Sequence, residues 1–502
     1  MLKYNLNQRG DFVTEKINLT KLQKVLSVIM GALLLGFAWR LRGSHGYGAS
    51  WGMFFVAAVL MMLVYAFYGN RKKMSYEMLP LCAVFAALTT GGWGTLNSQM
   101  SGYLQSTAEF TGEEVVRTVE ISNFSGVSIM LLLGFGWLPL FAVAFASIFS
   151  KKEYKLKDYV TYVAAYYITV LIASLTVSHL ILYIINPEAV SGALAGLQDR
   201  GHDLTPMMAY ITKLGNAAWA KKIPFCRNYF TSINVISSAI GALVTSIVVG
   251  LKLKDKLTAV VSFIINLVCA ISITVADVFL ILGSDRGVLA GVKSTAYIES
   301  CSWSLWEYFT GFLFGFGVML TLALLPRKYT DRDKDYQYSS MLCNDKFRYI
   351  YNLILTVFFT FGIILARAFA FRMTELFTED GDVIEIIITI ILSTIIFFPV
   401  RRAVRRNMVD GGFNRPIKAL PREFYIDFLP KFTCLTAITY FFMGGQSDAT
   451  IFGYDYSTLF TKDGFWYHWD NGLLTLTLLM LVTFVLLNLL FVVLKKTMKK
   501  RA

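Results

Sequence analysis

Charge is scarce in this chain, and so are the residues that build thiol and metal chemistry. Only 16% of its 502 residues are Asp, Glu, Lys or Arg, while 56% are hydrophobic, too little polar surface for a water-soluble protein of this length. There are four histidines. The six cysteines, Cys82, Cys226, Cys269, Cys301, Cys343 and Cys434, include no C-x-x-C pair. Their spacing offers neither zinc ligands nor a disulfide framework, so they read as small buried residues and no metal or cofactor is expected. No small-residue cleavage pattern accompanies the first apolar run, which therefore reads as a retained helix rather than a removable signal peptide.

What the chain has in abundance is long apolar runs. A helix needs roughly 20 apolar residues to cross a hydrocarbon core about 30 Å thick, and such runs recur from end to end with short polar gaps. They predict an all-α, polytopic integral membrane protein of about twelve transmembrane helices, a single membrane domain over residues 1–502. The expected spans are Val25 to Trp39, Trp51 to Tyr68, Met78 to Leu96, Val127 to Phe149, Tyr159 to Ile185 and Thr231 to Leu251. They continue with Leu257 to Leu282, Trp303 to Leu325, Ile350 to Arg367, Val383 to Val400, Phe432 to Gly445 and Gly472 to Leu494. The first and eleventh are short for a span.

Orientation follows from the basic residues, because Lys and Arg are held on the cytoplasmic side. With the amino terminus inside, the inner segments hold 34 of the 47 Lys and Arg, so both termini are expected to be cytoplasmic. The inner segments include a leader over 1–24, the turn Arg71-Lys72-Lys73 and a basic loop over 401–431. A larger extracytoplasmic loop is expected over 186–230. The net charge of +14 is then a topology signal and an attraction for anionic headgroups, with membrane lipids as partners and nucleic acid excluded. The expected location is the cytoplasmic membrane of the cell.

Polar residues at membrane depth are costly and mark function. Under this topology they share the outer half. Arg40, Arg42 and His45 follow the first helix among Gly43, Gly46 and Gly48, and Asn97 follows the third. His179 ends the fifth, Asp277, Asp285 and Arg286 end the seventh, and Arg367 and Arg372 end the ninth. Glu307 lies about a turn inside the eighth, beyond Trp303 and Trp306. It needs a partner, and an arginine from the first or ninth helix end is the obvious candidate. His179 reads more simply as a satisfied helix-end histidine, and Gly311, Gly315 and Gly317 as small-residue packing.

Residues 42–103 resemble prolipoprotein diacylglyceryl transferases in layout. The similarity runs through His45-Gly46, the helix Trp51 to Tyr68, the basic turn Arg71-Lys72-Lys73 and Gly91-Gly92-Trp93-Gly94, with Trp306-Glu307 similar to a later Tyr-Glu of that family. The chain departs from the family at Gly92 and Thr95, where it has an arginine and an asparagine, and in having more helices. The resemblance implies a functional role for His45.

The residues and their sidedness lead to an expected function: a membrane-bound transferase acting at the outer leaflet on a phospholipid or lipid-linked substrate. Arg40, Arg42 and Arg367 would hold a phosphate headgroup, because a guanidinium fork matches its oxygens. Asn97, Trp303 and Arg372 would complete the binding site, His45 would serve as general base and Glu307 would orient the catalytic groups. The alternative is a secondary transporter of a small anionic solute, which twelve helices and Gly/Pro interruptions such as Gly134 to Pro139 also suit.

Overall fold

The structure is a computed structural model. It describes residues 19–43, 50–68, 81–89, 107–111, 114–119, 122–150, 152, 154–212, 224–279, 296–325, 387, 391, 422–438 and 473–499. The described chain is helical, with one two-stranded antiparallel hairpin, β1 (Thr107–Thr111) and β2 (Glu114–Val119), added to the all-α expectation. In chain order the helices are α1 (Lys21–Gly43), α2 (Ser50–Tyr68), α3 (81–89), α4 (Asn123–Trp137), α5 (Pro139–Ser147), α6 (Leu156–Leu175) and α7 (Val177–Ile185). There follow α8 (Pro187–Gln198), α9 (Pro206–Thr212), α10 (Pro224–Leu251), α11 (Lys256–Ala276), α12 (Ala296–Leu324), α13 (Arg422–Ile438) and α14 (Leu473–Lys499). Among the described residues six helices are long and apolar enough to cross a membrane, or eight if two bent pairs each count as one span. The chain is a multi-pass membrane protein.

Several helices differ from the expected runs, each for a local reason. The first is not short: α1 takes in Lys21 and Lys24 at one end and Arg40 and Arg42 at the other, because long basic side chains lie along a helix while their heads find partners. The expected fourth span bends by 45° between α4 and α5, where Pro139 starts the second piece and cannot donate to the ladder of the first. The fifth breaks at Thr176, whose φ of −138° and ψ of −100° leave the helical region. The eleventh begins at Arg422, ten residues before Phe432, so the end of the 401–431 segment is helical. Much of the 186–230 segment is helical too, as α8, α9 and the start of α10. The ninth span, and the tenth apart from residues 387 and 391, lie outside the described residues.

In a bilayer, apolar side chains gain little from leaving lipid, so helices associate through close packing and polar contacts. The tightest seam here is α1 against α12, and it is built on glycine. A Cβ on Gly31 would come within 2.9 Å of the Gly315 carbonyl oxygen, and one on Gly315 would strike the Gly31 carbonyl. Gly311 seats in the same way on Leu35 and Trp39, and Gly317 on Val268 of α11. Gly311, Gly315 and Gly317 therefore serve as packing residues, with Gly31 opposite Gly315. On the far side of α1, α2 is buried at every position from Met53 to Tyr68, the environment suited to a helix that is apolar all round.

The two ends of the bundle differ in their polar chemistry. At one end Gln23 of α1 lies 3.4 Å from Thr497 of α14, so the described chain ends share a side. Lysines close that end onto helix C-termini, where carbonyls lack partners and the dipole is negative. Lys24 donates to Ala323 O at 2.6 Å, and Lys152 donates to Leu253 O at 2.8 Å. Asp255 caps α11 there, accepting from the Thr258 backbone N–H and from the Tyr154 hydroxyl. Burial pushes the Tyr154 hydroxyl pKa up, keeping it a donor. Arg40, Arg42 and Glu307 gather at the opposite end.

Substituting Gly315 by Leu should force α1 and α12 apart and abolish the monodisperse peak of the detergent-purified protein in size-exclusion chromatography. Leucine at lipid-exposed Val275 should leave that peak unchanged.

Candidate functional site

Arg40 and Arg42 occupy the last turn of α1, where cations meet the negative end of the helix dipole. Because α12 runs antiparallel to α1 at backbone contact, its first turns are delivered to the same level. Glu307 lies between the two guanidinium groups. Arg40 Nη1 donates to Glu307 Oε2 at 3.1 Å, and Arg42 Nη2 donates to Oε1 at 2.9 Å. The arginine partner that Glu307 requires is thus supplied twice, by the first helix. Arg40 is fully buried, Arg42 nearly so, and the Glu307 side chain retains 16% exposure. Gly52, in the first turn of α2, makes room for Arg42: a Cβ there would collide with the arginine's Cγ.

Below the ion pairs the site rests on aromatic residues. Trp39 packs edge to face against Phe85, Trp137 and Phe314, with ring centroids 6.4, 6.2 and 6.1 Å apart. This joins α1, α3, α4 and α12 in one rigid floor, a geometry that aromatic quadrupoles favour. Trp306, next to Glu307 in the chain, is fully buried and close to Asp277 at the end of α11. Asp277 is itself buried, and neither of its oxygens has a hydrogen bond of normal geometry among the described residues.

His179 is held in a separate network at the α6–α7 break. Its Nε2 faces the Ser174 carbonyl at 2.9 Å, which can only accept, so Nε2 donates. Nδ1 then accepts from the Tyr229 hydroxyl at 2.6 Å. One ring nitrogen thus mends the interrupted helix and the other ties it to α10, the simpler of its two readings.

Of the other candidates, His45, Asn97, Arg367 and Arg372 lie outside the described residues, as do Asp285 and Arg286. Trp303 lies on α12 a turn before Glu307, with no description of its side chain. Trp39 and Gly52 were not legible as site residues, since a tryptophan at a helix end and a glycine at a helix start are common for other reasons. Among the described residues no group of three His, Cys, Asp or Glu is placed to hold a metal ion.

Removing one member of a buried ionic cluster strands its partners, at a cost of about 3–5 kcal/mol. Glu307→Gln should therefore lower the thermal unfolding midpoint clearly. Asp427→Asn, which breaks an exposed pair with Lys495 at 3.0 Å, should change stability by less than about 1 kcal/mol. A comparison of melting curves for the two variants tests the difference.

Comparison with known proteins finds no matching family, no similar curated protein and no similar solved structure, so chemistry and placement carry the functional reading.

Proposed function

We propose that this chain is a membrane-bound transferase that acts on a phospholipid or lipid-linked substrate at the outer leaflet of the cytoplasmic membrane. The observation that carries the reading is the Arg40–Glu307–Arg42 cluster at one end of the bundle. Two arginines held rigidly around a carboxylate present the geometry that recognises a phosphate, with Glu307 as a resident anion that an incoming headgroup exchanges against. Directly inward, the α4 backbone lies on α11, where a Cβ on Gly134 would approach the Ala270 Cα to 2.5 Å. Further in, Asn266, Ser262 and Ser246 are buried but uncharged, and Ser262 and Ser246 bond to each other and to carbonyls of their own helices. Among the described residues, an anion therefore meets a charged partner at the outer end and none along this line through the bundle.

The topology proposed is about twelve spans with both termini cytoplasmic. Its support is the shared side of Gln23 and Thr497 and the lysines that close that end. The resemblance of residues 42–103 to prolipoprotein diacylglyceryl transferases adds a candidate chemistry, transfer of a lipid group to a nucleophile activated by His45. Asn97, Trp303, Arg367 and Arg372 are assigned to the same substrate site. A second reading, a secondary transporter of a small anionic solute, draws on the α4–α5 bend at Pro139, since interrupted helices line many transport sites.

The test is mass spectrometry of lipids that co-purify with the protein. Wild type should carry an anionic phospholipid or lipid phosphate, and Arg42→Ala should reduce it by about tenfold or more, the loss of one charge-assisted contact. Arg42→Lys, which keeps the charge and removes the fork, should fall between them. Concentrative uptake of a soluble anion by proteoliposomes, with no lipid retained, would favour the transporter. Topology is checked by labelling single cysteines: one placed at Met498 should react only from the cytoplasmic side, and one at Glu188 only from outside.

A further inference from the structure

Two carboxyl groups stand at the outer end of the bundle in opposite surroundings. Glu307 lies between two guanidinium groups. Asp277 has no ion pair among the described residues, although only 1% of it is exposed. The Trp306 indole lies close enough to act on its charge but outside hydrogen-bond geometry.

No described neighbour alters this. The helices packed against α11 are α4, α5, α10 and α12. The sequences of α4 and α5 contain no titratable residue. On α10, Cys226 bonds to Ala193 O and Tyr229 to His179, and the side chain of Arg227 lies outside the described residues. On α12, Glu307 is held by the two arginines and Tyr308 bonds to Thr483, while the side chains of Tyr297, Glu299 and Cys301 lie outside the described residues. Asp277 also terminates α11, with its own N–H turned back to Ile273 O and Val275 O, so its carboxyl sits at the negative end of the helix dipole. An anion there would oppose both the dipole and the cost of burial without a counter-ion. Two carboxyls in such divided settings are the usual arrangement for separate acid and base roles in one site.

We propose that Asp277 is the proton-carrying carboxyl of this site, neutral at rest while Glu307 is held as the anion. The use of that proton rests on the transferase reading. The acceptor's O–H or S–H bond breaks as its proton passes to His45, and the acceptor forms its new bond to the lipid donor. The leaving oxygen keeps the electron pair of the broken bond and takes the Asp277 proton. The resulting carboxylate is reprotonated through solvent by the proton that His45 had taken, which closes the cycle.

The protonation state is open to measurement without any substrate, so it stands or falls separately from the transferase. Infrared spectra of the full chain in lipid nanodiscs at pH 7 should contain a protonated-carboxyl C=O band that shifts when the protein is labelled with carboxyl-¹³C aspartate. The band should be missing from Asp277→Asn, a neutral isostere that should melt at the wild-type temperature. If no isotope-shifted band is present in the wild type, or if Asp277→Asn retains it undiminished, the proposal is overturned. Should Asp277→Asn fail to fold, the isotope arm on the wild type decides: a shifted band that disappears only at alkaline pH supports the proposal, and its absence sinks it.

Discussion

The backbone contact between α1 and α12 is the constraint from which the charged end of the molecule follows. Helices bearing ordinary side chains sit about 8–10 Å apart. Gly31 against Gly315, with Gly311 on Leu35 and Trp39, allows a closer seam in a solvent that offers no hydrophobic drive to association. Because the seam is antiparallel, it fixes the level at which the end of one helix meets the start of the other. Arg40 and Arg42 are brought to Glu307 by that register, and the aromatic floor of Trp39, Phe85, Trp137 and Phe314 is locked by the same contact. The charged cluster adds the directional part, since a buried carboxylate between two guanidinium groups tolerates little sliding of one helix past the other.

Much of this plan could be read from the residues, because hydrocarbon imposes a simple grammar of length and apolarity. The need of Glu307 for a basic partner was legible, since a carboxylate a turn inside an apolar helix has few alternatives. The small-residue role of Gly311 and Gly315 was legible as well. That both Arg40 and Arg42 supply the partner was not, for register between helices so far apart in the chain depends on their packing and not on a local pattern. The interruption at Pro139 was legible from its proline, whereas the break at Thr176 escaped because hydropathy sees composition, and both of its flanks are equally apolar. Arg422 to Lys431 read as loop because their charges outweighed their helical spacing, although Tyr425, Ile426 and Leu429 are buried on one face. The solitude of Asp277 is a property of its neighbours and is invisible in the sequence around it.

The molecule spends its polar groups differently at its two ends. At the end shared by Gln23 and Thr497, lysines are matched to helix C-termini and to Asp158 and Asp427, and those contacts close loops and ends. At the other end, charge is concentrated in deeply buried groups, which costs desolvation that helix closure alone does not demand. Burial of that kind fixes position and excludes water, two conditions under which electrostatic interactions act most strongly on a bound group.

The complete enclosure of α2 has a consequence for how the protein is made. Part of its covering comes from α1, synthesised just before it, but Tyr65 packs against Tyr425 of α13 at 4.9 Å between ring centroids. That partner leaves the ribosome only after most of the chain has been made. In the interval α2 is a stable occupant of lipid, apolar enough on every side to wait there without a protein neighbour. Its final burial is therefore a late displacement of lipid by helix, and the surroundings of α2 mature only when the last third of the chain arrives.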